Sequence, residues 1–189
     1  MVILCGGRGT RLREQTQTIP KPLVEIGGRP ILWHVIRIYA EHGFERFVLC
    51  TGHKGELIED FVANDGLPSG LDIECLDTGE ETQTGGRIAR VAERLGGERF
   101  CATYADGVAD IDLAELLRFH ARHGALATMT VVQPELQFGV AELNGRLAGD
   151  GQLRAFRHPG FWDCMDTYKD AVLLNDLWAE DRAPWRVWA

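Results

Sequence analysis

The chain has no excess of basic residues, no long apolar run and no paired cysteine spacing, and each absence removes a class of protein. Its 20 Lys and Arg stand against 28 Asp and Glu, a formal charge of −8, so neither a nucleic-acid polyanion nor an anionic membrane is the expected partner. No segment approaches the roughly 20 apolar residues of a membrane-spanning helix. The first apolar stretch is short and lacks the basic leader of a secretory signal. Five cysteines (Cys5, Cys50, Cys75, Cys101, Cys164) are an odd number without Cys-x-x-Cys spacing and lie mostly in apolar runs. Such thiols behave as small hydrophobes, which predicts reduced, structural cysteines and a cytoplasmic protein. His34, His42 and His53 have no carboxylate or cysteine at ligand spacing and are read as structural or surface residues. At 189 residues, 45% hydrophobic, the chain is long enough for one good core and is expected to form one domain.

What the chain does carry begins at its first apolar run. Val2-Ile3-Leu4-Cys5 ends in Gly6, Gly7 and Gly9, with Arg8, Thr10 and Arg11 interleaved and Pro20-Lys21-Pro22 following. A buried strand opening onto glycines lets backbone N–H groups approach an anion without Cβ obstruction, and Arg8, Arg11 and Lys21 bring positive charge to the same mouth. An ordinary glycine-rich turn with solvated arginines is the bland alternative for the glycines alone. The spacing lacks the final glycine of the dinucleotide fingerprint and the Gly-Lys-Ser/Thr of a P-loop.

Helical periodicity over 30–40, a short apolar run at 47–50 and helical periodicity over 55–63 predict alternating strands and helices, hence a parallel sheet in an α/β fold. Residues 71–76 alternate as a half-exposed strand, 77–87 read as a loop, and a helix is expected over 88–95. Thr84-Gly85-Gly86-Arg87 at that helix start exposes backbone donors, and Arg87 offers paired N–H groups suited to the O2 and N3 acceptors of a pyrimidine, or else lies on a solvated face. Asp106 follows the apolar strand 100–104, at the carboxyl end where open parallel sheets hold ligands. A phosphate site calls for a divalent cation, and Mg²⁺ is commonly held by one or two carboxylates plus substrate phosphates, although Asp-Gly is also turn chemistry. Further on come a helix over 113–120, whose His120 and His123 are read as a polar face, a strand over 127–132 and the apolar stretch 138–143. Asp166 opens a last helical pattern, with Asp166 or Thr167 as its N-cap.

The string from Gly6 through Thr10-Arg11-Leu12 and Pro20-Lys21-Pro22-Leu23-Val24-Glu25-Ile26-Gly27-Gly28-Arg29-Pro30 resembles the signature of the sugar-1-phosphate nucleotidyltransferases. Tyr104-Ala105-Asp106-Gly107-Val108-Ala109-Asp110 is similar to that family's Tyr-Gly-Asp-Gly-Val-Ala-Asp, with alanine for the first glycine, and Trp162 to Thr167 resembles its Trp-x-x-Met-Asp-Thr. The resemblance implies a Rossmann-like, mostly parallel sheet with helices on both faces. It implies Mg²⁺ on Asp106 and Asp166, and nucleotide contacts from Leu4, Cys5, Gly6, Gly7, Arg8, Gly9, Thr10, Arg11 and Lys21. Arg11 would face the leaving pyrophosphate and Lys21 the α-phosphate. Thr82, Thr84, Gly86 and Arg87 are similar to the element that reads cytosine in the family's cytidylyltransferases, which implies CTP and glucose 1-phosphate as substrates and CDP-glucose as product. Pro184-Trp185-Arg186-Val187-Trp188 also resembles a cytidylyltransferase tail, and its tryptophans, with Trp178, are expected to pack on another subunit of a homo-oligomer. The family's Glu-Lys-Pro, whose lysine holds the sugar phosphate, and its Asn-Gly-Gly are absent. The chain is therefore expected to join pieces of a longer protein near 64–76 and 144–150, or else to have lost its sugar subsite. Two other readings are a transferase of other nucleotide specificity and a non-catalytic nucleotide-binding protein.

Overall fold

The computed structural model describes residues 1–12, 16, 18–64, 66–133 and 146–188. Its centre is a four-stranded parallel sheet in the order β5-β4-β1-β6, formed by β1 (Val2–Leu4), β4 (Arg46–Thr51), β5 (Asp72–Asp77) and β6 (Ala102–Tyr104). Alternate side chains of a strand point to opposite faces, and both faces here are covered. Ile3, Phe47 and Leu49 pack with Ile31, Leu32, Val35 and Ile36 of α1 (Ile31–Glu41) and with Ile58 of α2 (Gly55–Asn64), while Val2 and Cys50 meet Val91 of α3 (Thr84–Val91). This is the expected α/β architecture. Small antiparallel pairs join β2 (Glu25–Ile26) to β3 (Arg29–Pro30) and β7 (Gly107–Ala109) to β10 (Trp162–Cys164). α4 (Leu113–His123) leads to β8 (Ala127–Val131), which pairs in parallel with β9 (Leu153–Arg157), and α6 (Tyr168–Ala179) follows β10.

One sequence expectation changes and one open alternative is decided. α3 begins at Thr84, not Ile88, because its first turn, Thr84-Gly85-Gly86-Arg87, has no apolar period yet closes helically through Arg87 N to Gln83 O at 3.0 Å. Arg87 thus belongs to the helix. Thr167, not Asp166, is the N-cap of α6, in a reciprocal pair with Asp170. Finally, α5 (Arg146–Gly149) and its exit turn are continuously hydrogen-bonded, Asp150 N to Arg146 O at 2.9 Å and Gln152 N to Leu147 O at 2.7 Å. Residues 144 and 145, like 65 and the expected apolar stretch 138–143, lie outside the described residues.

The tail tryptophans are also placed differently. Trp185 is fully buried and Trp188 nearly so within a single chain, and Trp178 is half-buried. Phe161 and Trp185 stack at 5.5 Å, Trp178 and Trp185 at 6.5 Å, and Trp33 meets Trp188 edge-on at 5.5 Å. A tryptophan far along a sequence looks exposed only because what it folds back upon, here α1, is distant in the chain.

His34 sits at the centre of this group. Trp185 Nε1 donates to His34 Nδ1 at 3.4 Å, so Nε2 carries the proton and donates to Ile26 O at 2.9 Å. Burial, partly opposed by the backbone hydrogen bonds, pushes its pKa down to about 4. The folded state therefore binds less proton than the unfolded one, and the stability from the neutral imidazole is complete above about pH 6.5 and is lost as pH falls through about 4. The wild-type chain should lose on the order of 3 kcal/mol between those limits. Urea unfolding at both ends of the window measures this, and an equal loss in His34→Gln would assign it to other groups.

Candidate active site

β1 delivers the glycine loop to the carboxyl edge of the sheet. Cys5 N donates to Cys50 O at 3.0 Å, extending the β1–β4 ladder by one residue, and His53 N donates to Gly6 O at 3.3 Å. The Cys5 side chain is buried and its thiol is pushed well above its ordinary pKa by desolvation, so Cys5 serves through its backbone. Among the described residues nothing lies within 4 Å of where a Gly7 side chain would be, which leaves the loop open to them on that side. Thr10 begins a 3-10 turn, Thr10–Leu12, closed by Leu12 N to Gly9 O at 3.1 Å. The Arg11 side chain lies outside the described part of the structure.

Lys21, on the 3-10 turn Lys21–Leu23, is the meeting point of the two expected carboxylates. Its Nζ donates to Asp106 Oδ2 and to Asp166 Oδ1, each at 2.6 Å. Burial pushes the Lys21 pKa down, but the charges and hydrogen bonds of Asp106 and Asp166 outweigh it and hold the pKa above its ordinary value. The ammonium therefore stays charged. The Asp106 and Asp166 side chains remain 25% and 22% exposed against 10% for Lys21, so the carboxylates open toward solvent and the lysine backs them. The β7–β10 ladder arranges this: Asp106 precedes β7, Asp166 follows β10, and Met165 N donates to Asp106 O at 2.9 Å.

Arg87 is not where the sequence suggested. It is 5% exposed, and its paired N–H groups are given to protein oxygens rather than turned toward a base. Nη1 donates to Thr51 O at 2.9 Å and Thr78 Oγ1 at 2.6 Å; Nη2 donates to Gly6 O at 2.9 Å and Glu80 O at 3.1 Å. The guanidinium thus ties the glycine loop, the end of β4 and the 78–82 loop together. A Cβ on Gly6 would stand 2.0 Å from Arg87 Nη1, which is why that position takes glycine. The other expected base contacts surround this tie. Thr84 opens α3 and its hydroxyl lies 3.3 Å from Tyr104 OH, Gly86 packs against Thr82, and Thr82 N donates to Gly79 O at 3.3 Å.

Arg8 crosses the mouth to two acids that sequence reading passed over. Its Nε lies 3.1 Å from Glu80 Oε1 and its Nη2 pairs with Glu81, while His53 Nδ1 approaches Glu80 Oε1 at 2.8 Å. Two consecutive acids opposite a basic loop were the available signal. Tyr104, 56% exposed as the last residue of β6, was the other.

A glycine loop at the edge of a parallel sheet, backed by a lysine held between two carboxylates, defines a nucleotide-handling α/β protein, and the chain belongs to the nucleotidyl transferase family, whose model matches residues 1–157. It is 37% identical to the glucose-1-phosphate cytidylyltransferase of Salmonella typhimurium, covering 99% of this chain and 98% of that protein, and 35% identical to a probable glucose-1-phosphate cytidylyltransferase of Bacillus subtilis, covering 99% of each. The first alignment runs over 253 positions, so about a quarter of them are filled by the relative without this 189-residue chain. Among solved structures, HddC from Yersinia pseudotuberculosis complexed with GMP-PN superposes with TM-score 0.74 at 18% identity, covering 94% of this chain and 98% of that one. A protein described as a glucose-1-phosphate thymidylyltransferase from Bacillus anthracis superposes with TM-score 0.82 at 15% identity, covering 100% and 96%. These two similarities establish the fold.

Proposed function

We propose that the protein transfers a cytidylyl group from CTP to glucose 1-phosphate, giving CDP-glucose and pyrophosphate. The observation that carries the reading is the convergence of Asp106 and Asp166 on Lys21 beside an open glycine loop, in a chain whose full-length relatives bear that activity in their names. A phosphate oxygen of the sugar phosphate attacks the α-phosphorus of CTP in line, and the bond to pyrophosphate breaks as the new P–O bond forms. Such transfers need positioning and charge neutralisation rather than a covalent nucleophile. Backbone N–H groups of the loop from Gly6 to Thr10 receive the phosphates, Arg8 exchanges Glu80 and Glu81 for them, Arg11 faces the pyrophosphate, and Lys21 offers its ammonium at the α-phosphate. Arg87 acts by holding the loops that frame the base, with Thr82 and Thr84 as nearer polar contacts.

Asp106 and Asp166 would hold Mg²⁺. Two hard carboxylate oxygens already sharing one cation fit an ion that takes its remaining ligands from phosphates and water, and no larger cluster of His, Cys, Asp or Glu occurs among the described residues. Bound there, the ion would neutralise charge developing on the phosphate oxygens.

No helix among the described residues is long and apolar enough to cross a membrane, and all five thiols are free. A cytoplasmic, single-domain protein belongs to the same reading. With the tail tryptophans covered inside the chain, a homo-oligomer draws support only from exposed residues such as Leu117, Leu126 and Met129.

The missing quarter of the aligned positions and the absent Glu-Lys-Pro favour a second reading, a nucleotide-binding protein without turnover. Pyrophosphate release with CTP, UTP, dTTP or GTP, each with glucose 1-phosphate and with or without Mg²⁺, separates the two. Turnover is expected with CTP and Mg²⁺. Tight CTP binding without release would establish the second reading, and preference for another nucleotide would overturn the cytidylyl assignment.

A further inference from the structure

The two carboxylates stand together because a ladder of three residue pairs, Gly107 with Cys164, Val108 with Asp163 and Ala109 with Trp162, brings their ends side by side. Asp106 and Asp166 both leave from one end of it. A slip of one residue would move Asp166 along Asp106 by about 3.4 Å and turn the side chains of its strand to the opposite face. Three pairs are too few to hold a register against such a slip by backbone bonding alone.

The opposite end of the ladder is closed by side chains. Asp110 N donates to Phe161 O at 3.2 Å. The His158 side chain is 7% exposed, and its Nε2 lies 3.0 Å from Asp110 Oδ1 and 3.0 Å from Phe161 O, while His158 N donates to Val131 O at 3.0 Å. Asp110 Oδ1 is buried and makes no hydrogen bond among the described residues, so its approach to the imidazole is a close polar contact while the Nε2 proton is shared with Phe161 O. Gly160 completes the closure, since a Cβ there would stand 2.4 Å from Asp110 Oδ1 and 2.8 Å from His158 Cε1. A side chain at 160 would push the imidazole and the carboxylate apart. Asp110, His158 and Gly160 therefore interlock one strand with the return of the other, at the end away from the site.

We propose that Asp110 and His158 are positioning residues that fix the β7–β10 register and, through it, the spacing of Asp106 and Asp166. The inference rests on the reading of those carboxylates as the Mg²⁺ holders. Neither Asp110 nor His158 touches substrate; they act through the ladder. His158→Phe fills the ring space without the N–H that reaches Phe161 O, Asp110→Ala removes the carboxylate packed against the ring, and His158→Gln keeps a donor near the Nε2 position.

Two readouts on the full-length protein test this: hydrogen exchange of the peptide carrying residues 162–166, whose Met165 amide bonds Asp106 O, against the peptide carrying β4, and the Mg²⁺ concentration giving half-maximal pyrophosphate release. His158→Phe and Asp110→Ala are expected to speed exchange over 162–166 at least about tenfold with β4 unchanged, and to raise the half-saturating Mg²⁺ by a similar factor while the KM for CTP at saturating Mg²⁺ holds. His158→Gln is expected to recover most of both. Unchanged exchange over 162–166, an equal change in β4, or an unmoved Mg²⁺ response overturns the proposal. Asp106→Asn, run alongside, reports on the underlying reading: it should abolish the Mg²⁺ response with exchange unaltered, and if it does not, the carboxylate assignment has failed rather than the clasp.

Discussion

Asp106→Asn should leave the chain folded and lower its Mg²⁺-dependent turnover by about three orders of magnitude, the scale on which removal of one preorganised charge-stabilising group acts. The amide keeps the shape of the carboxylate. The backbone carbonyl of residue 106, which receives the Met165 amide, is untouched, so the ladder beneath the site survives. Two charges are affected at once: the carboxylate itself is lost, and among the described residues Lys21 keeps Asp166 as its ionic partner. An ammonium freed from one acid leans on the other, and the pair then competes with a divalent ion for Asp166. Pyrophosphate release across a Mg²⁺ titration, with thermal unfolding on the same sample, checks both halves. Turnover within tenfold of wild type would sink the assignment of Asp106, and turnover lost together with the unfolding transition would make it a structural residue.

Arg87→Met should destabilise the protein by about 1.5–3 kcal/mol, the scale of losing buried hydrogen bonds from a charged donor. Methionine has nearly the length of the arginine stem, so the loss is polar rather than a cavity. Gly6 O, Thr51 O, Glu80 O and Thr78 Oγ1 would each lose a donor in a place where water enters poorly. Arg87→Lys should recover little, because one ammonium cannot span oxygens that a planar fork reaches from two nitrogens. Urea unfolding at pH 7 measures the loss, and CTP titration of the folded fraction separates the roles. A stability change under about 1 kcal/mol with strongly weakened CTP binding would return Arg87 to the base-reading role that its sequence context suggested.

Much of the frame could be read from residue order, because α1, β4, α2 and α4 have clear periods and turn residues at their ends. The glycine loop was legible from its own chemistry, whereas the pairing of Asp106 with Asp166 came only from the resemblance to the nucleotidyltransferase motifs. The inward bonds of Arg87 were not legible because a sequence shows how many donors a side chain has and not which oxygens come within reach. Its partners Gly6 and Thr51 are 81 and 36 residues away. Lys21 was assigned to a phosphate without its tie to Asp106 and Asp166, 85 and 145 residues off, for the same reason. The early start of α3 was hidden by glycines that carry no periodic signal, and the tail tryptophans by having their cover on a helix near the other end of the chain.

The grouping of aromatic residues around His34 also decides what light emission from this protein reports. Trp33, Trp178, Trp185 and Trp188 form one packed set in which His34 is the titrating ring, whereas Trp162 lies on the ladder that carries the carboxylates, its indole nitrogen 3.6 Å from where a Gly107 side chain would be. Intrinsic fluorescence is therefore two signals of different origin. The larger one follows the docking of the tail and is quenched in acid as the imidazole gains its proton, and the smaller one, isolated by comparison with Trp162→Phe, is the one placed to sense a ligand arriving at the site.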